Sequence, residues 1–164
     1  MEIRPLRESD DRLEVSRIYE ESWKFAYRGI VPQSFLDGIP AGLWARALDA
    51  RDSLVLTEHG APVGTASVCP SRWPDYPGFG EVVSLYLLPD CVGRGYGGPL
   101  LEAAVETLAE RGFRDVLLWV LEENRRARRF YEKHGFFPAG DSMVQEIGGK
   151  PLREVLYCRH GDGL

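Results

Sequence analysis

Leu85-Tyr86-Leu87-Leu88-Pro89-Asp90-Cys91-Val92-Gly93-Arg94-Gly95-Tyr96-Gly97-Gly98-Pro99-Leu100-Leu101 reads as a short apolar strand, a loop carrying four glycines and the entrance of a helix. Gly93, Gly95, Gly97 and Gly98 let the backbone turn tightly and bring bare N–H groups close to a ligand. The helix that follows adds unpaired N–H groups and the positive end of its dipole, and Arg94 adds a full charge. A phosphate or pyrophosphate is therefore the expected guest.

Downstream of the loop, Leu100, Leu101, Ala104, Val105, Leu108 and Ala109 form one helical stripe that Gly112 closes. Residues 116–121 are apolar at every position, as expected of a central parallel strand covered on both faces. The pair predicts a right-handed strand–helix–strand crossover. A further helix, capped by Asn124, carries Ala127, Phe130, Tyr131 and His134 on one side and stops at Gly135. Residues 136–147 and 152–158 flank Gly148-Gly149 and read as a closing antiparallel hairpin.

Upstream, residues 81–88 form the strand that feeds the loop, and 53–57 and 63–68 form a hairpin about 58–62. Residues 3–6 read as a first strand. Ser9, Asp10 and Asp11 open a helix whose face is Val15, Ile18, Tyr19, Ser22, Trp23 and Ala26 and which ends at Gly29. Pro32, Gly38, Pro40 and Gly42 break the next stretch into helical turns at 33–36 and 43–48, a segment suited to covering a substrate. The loop over 70–80 carries Trp73, Tyr76 and Phe79, either as a pocket wall or as a cap on the core. The sheet is expected to be mixed.

With 164 residues, 44% hydrophobic and 27% charged, the chain is expected to form one globular domain over 1–164. A net charge of −5 argues against a general nucleic-acid binder. The opening residues lack an apolar signal core and the run 116–121 is far too short to span a bilayer, so no membrane role and a cytoplasmic location are expected. Cys69, Cys91 and Cys158, like His59, His134 and His160, are scattered; reduced thiols and no metal are expected. Gly93 to Gly98 also satisfies the dinucleotide pattern G-x-G-x-x-G, with Glu122 or Glu123 available for a ribose. A dinucleotide, however, needs two mononucleotide halves, and one strand–helix–strand unit surrounds this loop.

Element order and loop together resemble the GNAT superfamily of N-acetyltransferases, which acylate primary amines from acetyl-CoA. The pattern Gln/Arg-x-x-Gly-x-Gly/Ala falls on Val92-Gly93-Arg94-Gly95-Tyr96-Gly97, with Val92 in place of Gln or Arg. Its companion falls on 124–136, with Asn124, Ala127, Phe130, Tyr131 and Gly135 in place. The resemblance implies an α/β (α+β) fold: a mostly antiparallel sheet with one central parallel pair splayed to admit CoA, and helices on both faces. By it, the amides from Gly93 to Gly98, with Val92, Arg94 and Tyr96, grip the CoA pyrophosphate, Leu87 and Leu88 pair with the pantetheine arm, and Asn124 and Arg128 (or Arg129) reach the cofactor.

The chemistry needs a neutral amine, a polarised thioester carbonyl and a proton for the departing sulfur. The resemblance implies Glu81 as the base and Tyr131 as the acid, with the backbone N–H near Leu87 as oxyanion donor. Trp23, Tyr27, Trp44, Trp73 and Tyr76 are the candidate walls for a small-molecule or peptide amine. The resemblance admits a homodimer. Two rival functions stand beside it: a dinucleotide oxidoreductase, and a non-catalytic acyl-CoA sensor.

Overall fold

The computed structural model describes residues 1–161. Among the described residues seven strands form one sheet: β1 (Glu2–Pro5), β2 (Ser53–Glu58), β3 (Ala61–Pro70), β4 (Gly80–Leu87), β5 (Val116–Leu121), β6 (Phe137–Ile147) and β7 (Lys150–Arg159). Their order is β1-β2-β3-β4-β5-β7-β6, and every pairing is antiparallel except β4 with β5. A doubly wound dinucleotide fold needs a run of parallel strands, so the G-x-G-x-x-G run sits in the wrong kind of sheet for that use.

Helices cover the two faces: α1 (Arg12–Ala26) and α2 (Gln33–Asp37) on one, α3 (Gly97–Glu110) and α4 (Arg125–Lys133) on the other. Strand alternation makes this sorting. Leu54 and Leu56 pack with Leu100, Leu101, Ala104 and Leu108 of α3, while Val55 between them packs with Val15 and Tyr19 of α1. β5 is apolar on both faces because each is covered: Val116, Leu118 and Val120 join the α3 cluster, and Leu117 and Leu121 pack on the opposite side. Gly148 and Gly149, at φ 61° and 81°, form the left-handed turn that pairs Ile147 with Lys150. Among the described residues no helix is long and apolar enough to cross a membrane.

The first helix begins later than the Ser9-Asp10-Asp11 run suggests. Asp10 is taken by Arg4 in a two-pronged ion pair (2.8 Å on each oxygen) and by the Arg7 N–H (2.7 Å), so Asp11 caps the helix by accepting from the Leu13 N–H at 2.9 Å. Likewise the turn expected over 43–48 shrinks to a 3-10 turn at Ala45–Ala47. The hydrogen bond from Arg4 holds the Asp10 carboxyl down at about 2, from an ordinary value of 3.8. The pair's contribution is therefore complete above the unfolded value and vanishes as pH falls toward 2. Asp10→Asn is expected to cost about 1 kcal/mol at pH 7 and almost nothing near pH 2, measured by urea unfolding at both.

Candidate active site

β4 and β5 part after two rungs, Gly80 opposite Val116 and Glu81 opposite Leu117. On its other edge β4 stays paired with β3, and the Leu88 N–H donates to the Val63 carbonyl at 2.8 Å. Alternate residues of such a ladder turn their N–H and C=O to opposite edges. The bond at Leu88 thus leaves the backbone groups of Leu85 and Leu87 facing the gap. A β-bulge sharpens the divergence: Ser67 opposes Ser84 but Val68 opposes Val82, so Val83 is the extra residue. The bulge also shifts the facing of side chains. Glu81, Ser84 and Tyr86 lie on the α1 side, whereas Val82, Leu85 and Leu87 pack with α3.

The glycine loop closes one end of this slot. A 3-10 turn at Pro89–Cys91 ends at Val92, whose N–H is bonded to the Pro89 carbonyl at 3.2 Å and which brings no polar side chain to the loop. Gly95, at φ 83°, holds a left-handed conformation that places the chain at the start of α3. Tyr96 caps α3 without a side-chain hydrogen bond, so no side chain competes for the first-turn amides of Gly97 and Gly98. A Cβ on Gly97 would stand 3.0 Å from the Phe130 ring, and one on Gly98 2.8 Å from that of His134. These glycines therefore also let α4 close on the loop.

The basic residues sort differently from expectation. Arg94 bonds Glu58 and the Tyr96 hydroxyl, both at 3.1 Å, and Tyr96 in turn donates to Glu58, so its charge is answered within the protein. Arg128 turns away from the loop, donating to the Tyr157 hydroxyl and the Glu122 carbonyl at 3.0 Å each. The arginine that reaches the loop is Arg126, whose Nη2 would lie 3.8 Å from a Cβ on Gly93. Asn124 uses its Oδ1 to cap α4, accepting from the Ala127 N–H at 3.2 Å.

On the α1 side, Trp23 donates to the Tyr86 hydroxyl at 3.2 Å and packs on Tyr27 and Trp44 with ring centroids 4.8 and 5.6 Å away. Tyr19 meets Tyr86 and Trp44 at 5.1 and 5.4 Å. The broken segment after α1 is pinned through buried Glu20, which accepts from the Ser16 hydroxyl (2.6 Å) and the Gly42 N–H (2.9 Å), while the Trp44 N–H donates to Ser16 (3.1 Å). Trp73 joins the adjoining wall against Trp119, centroids 5.1 Å apart. Tyr76 packs in the same cluster as Trp73 and Trp119, and its hydroxyl donates to Asp141, a bond that, with burial second, pushes it up to about 12. Helical periodicity marks Tyr19 as core and the bulge conceals which way Tyr86 points, so the sequence shows neither as a wall residue.

Tyr131 is half-buried on α4 between Phe130 and Phe136, at centroid distances of 5.3 and 6.0 Å. Burial, with a smaller contribution from Tyr86, pushes its hydroxyl above the usual tyrosine range, so it stays protonated at neutral pH. Glu81 is 1% exposed, and its carboxylate faces Arg72. Oε1 accepts from the Arg72 N–H and Nε at 3.2 Å each, and Oε2 from Nη2 at 2.6 Å. The structure therefore places the two expected catalytic residues in different settings: Tyr131 beside the slot, Glu81 locked at its closed end.

Comparison with known proteins agrees with this architecture. The family model described as Acetyltransferase (GNAT) family matches residues 14–136. The chain is 35% identical over 115 residues to mycothiol acetyltransferase of Corynebacterium aurimucosum, an alignment covering 66% of this chain but only 38% of that protein. It is 34% identical over 137 residues to an uncharacterized N-acetyltransferase of Archaeoglobus fulgidus, covering 80% and 89%. In fold it matches the PaiA N-acetyltransferase of Thermoplasma acidophilum, solved in complex with coenzyme A, with a TM-score of 0.70, 21% identity and coverage of 97% and 98%. With its glycine loop at the head of α3, its parted parallel strands and a family match over residues 14–136, the chain belongs to the GNAT family of acetyltransferases.

Proposed function

We propose that the chain transfers the acetyl group of acetyl-CoA to a primary amine by direct attack in a ternary complex. The observation that carries this is the gap between β4 and β5, lined by the outward backbone of Leu85 and Leu87 and opening beside the uncapped N-terminus of α3. The first-turn amides and the helix dipole suit a pyrophosphate, with Arg126 beside the loop for further phosphate charge. Leu87 offers a strand edge to an amide-bearing arm. When bound, acetyl-CoA supplies the thioester carbon that the amine attacks. The slot backbone polarises its carbonyl, and Tyr131 hands a proton to the departing sulfur. Glu81 and Arg72 together anchor the 71–79 loop across the closed end of the slot.

Thermal shift with acetyl-CoA against NADH, followed by thiol release across a panel of primary amines, tests the proposal. Stabilisation by acetyl-CoA alone and amine-dependent thiol release are expected. Stabilisation by NADH, or acetyl-CoA binding without release for any amine, would overturn it in favour of an oxidoreductase or a sensor.

A further inference from the structure

Glu154 is a second carboxylate on the acceptor side of the slot, and it has none of the partners that occupy Glu81. The register Leu117–Cys158, Trp119–Leu156, Leu121–Glu154 places it on the same face of β7 as Leu152 and Leu156, one strand beyond the far wall of the gap. Leu152 and Leu121 pack with Val31, Leu36 and Ile39 beneath Trp23 and Tyr27. Glu154 is only partly exposed, and its carboxylate makes no hydrogen bond or ion pair with any described residue.

We propose that Glu154 receives the acceptor's ammonium group and takes its proton, and that the acceptor is consequently a cationic alkylamine seated among the rings of Tyr19, Trp23, Tyr27, Trp44 and Tyr86. This assignment rests on the acetyltransfer reading above and adds the substrate class to it. An exposed carboxylate would be satisfied by water. A half-buried one between two leucines is left under-solvated, and a bound ammonium restores what burial removes.

The surroundings favour a cation in two further ways. The aromatic faces around Trp23 attract an ammonium through their quadrupoles. Arg72, the positive group whose field reaches Glu154, is already committed to Glu81 and does not pair with Glu154. Burial is the main cause that raises the Glu154 carboxyl, with Arg72 opposing it, which brings a carboxylate closer to the basicity a proton acceptor needs. Burial likewise raises the Tyr27 and Tyr86 hydroxyls, with the Glu154 charge a small further contribution to both.

The proton count closes. The ammonium gives one proton to Glu154, the neutral nitrogen forms the C–N bond as the C–S bond breaks, and the sulfur takes the Tyr131 proton. The second nitrogen proton leaves as the amide forms and replaces, through solvent, the one Tyr131 gave. Glu154 returns its proton to solvent, so one proton is released for each ammonium acylated.

Tryptophan fluorescence titration of the CoA complex with n-hexylamine and with 1-hexanol tests this, because the two probes share a chain and differ in the head group. Wild type is expected to bind hexylammonium at least tenfold tighter than hexanol. Glu154→Gln should abolish that preference and lower kcat/KM for hexylamine at least tenfold, with CoA affinity and Tm unchanged; Glu154→Asp should restore part of both. Equal binding of the two probes by wild type, or an unchanged preference in Glu154→Gln, would overturn the assignment while leaving acetyltransfer intact. Failure of wild type to bind CoA would instead sink the acetyltransfer reading itself.

Discussion

Tyr131→Phe is expected to lower kcat at least about 100-fold while leaving the affinity for acetyl-CoA unchanged. The substitution removes one oxygen from a half-buried ring and keeps its packing against Phe130 and Phe136. The CoA thiolate is a poor leaving group unless a proton reaches it, and a positioned acid supplies factors of about 10² to 10⁴. Burial raises the Tyr131 hydroxyl, so it is protonated across the neutral range, as the proposed donor must be. Burst and steady-state thiol release with a saturating amine measure the effect. Wild-type turnover in the variant would mean that another group protonates the sulfur.

Gly95→Val is expected to weaken acetyl-CoA binding about 100-fold without unfolding the protein. A Cβ at this position meets nothing within 4 Å, so the fold has room for it. The backbone at φ 83° is what forbids it, since a β-branched residue in the left-handed region is strained and the loop must rearrange. Rearrangement re-aims the amides ahead of α3. Losing two hydrogen bonds to a charged phosphate, at about 1.5 kcal/mol or more each, corresponds to that factor. Calorimetric titration together with a thermal melt separates lost binding from lost fold. Unchanged affinity would show that the cradle does not grip the pyrophosphate.

The glycine turn and the covered central strand are legible because they are written in local backbone chemistry. Glycines between a strand and an amphipathic helix dictate a turn and free amides whatever the rest of the chain does, and an all-apolar 116–121 declares a strand covered on both faces. The acceptor half depends on side-chain direction across elements far apart in sequence. Counting by twos from Glu81 puts Val83, Leu85 and Leu87 on its face, but the bulge at Val83 puts Ser84 and Tyr86 there instead. That single residue hid Tyr86 from periodicity. Arg72 lies in a loop whose path no pattern fixes, so its capture of Glu81 was not readable either. Among Arg125, Arg126, Arg128 and Arg129, the helical phase that sends Arg128 to Tyr157 and Arg126 to the loop depends on where Asn124 starts the helix. Glu154 carries no motif of its own, because its place beside Leu152 and opposite Leu121 comes from strand register.

If the parted strands and the glycine turn form a coenzyme A site, calorimetric titration with acetyl-CoA gives saturable uptake of one molecule per chain, and titration with NADH gives none. Absence of any heat with acetyl-CoA at millimolar concentration would show that the slot does not hold the cofactor.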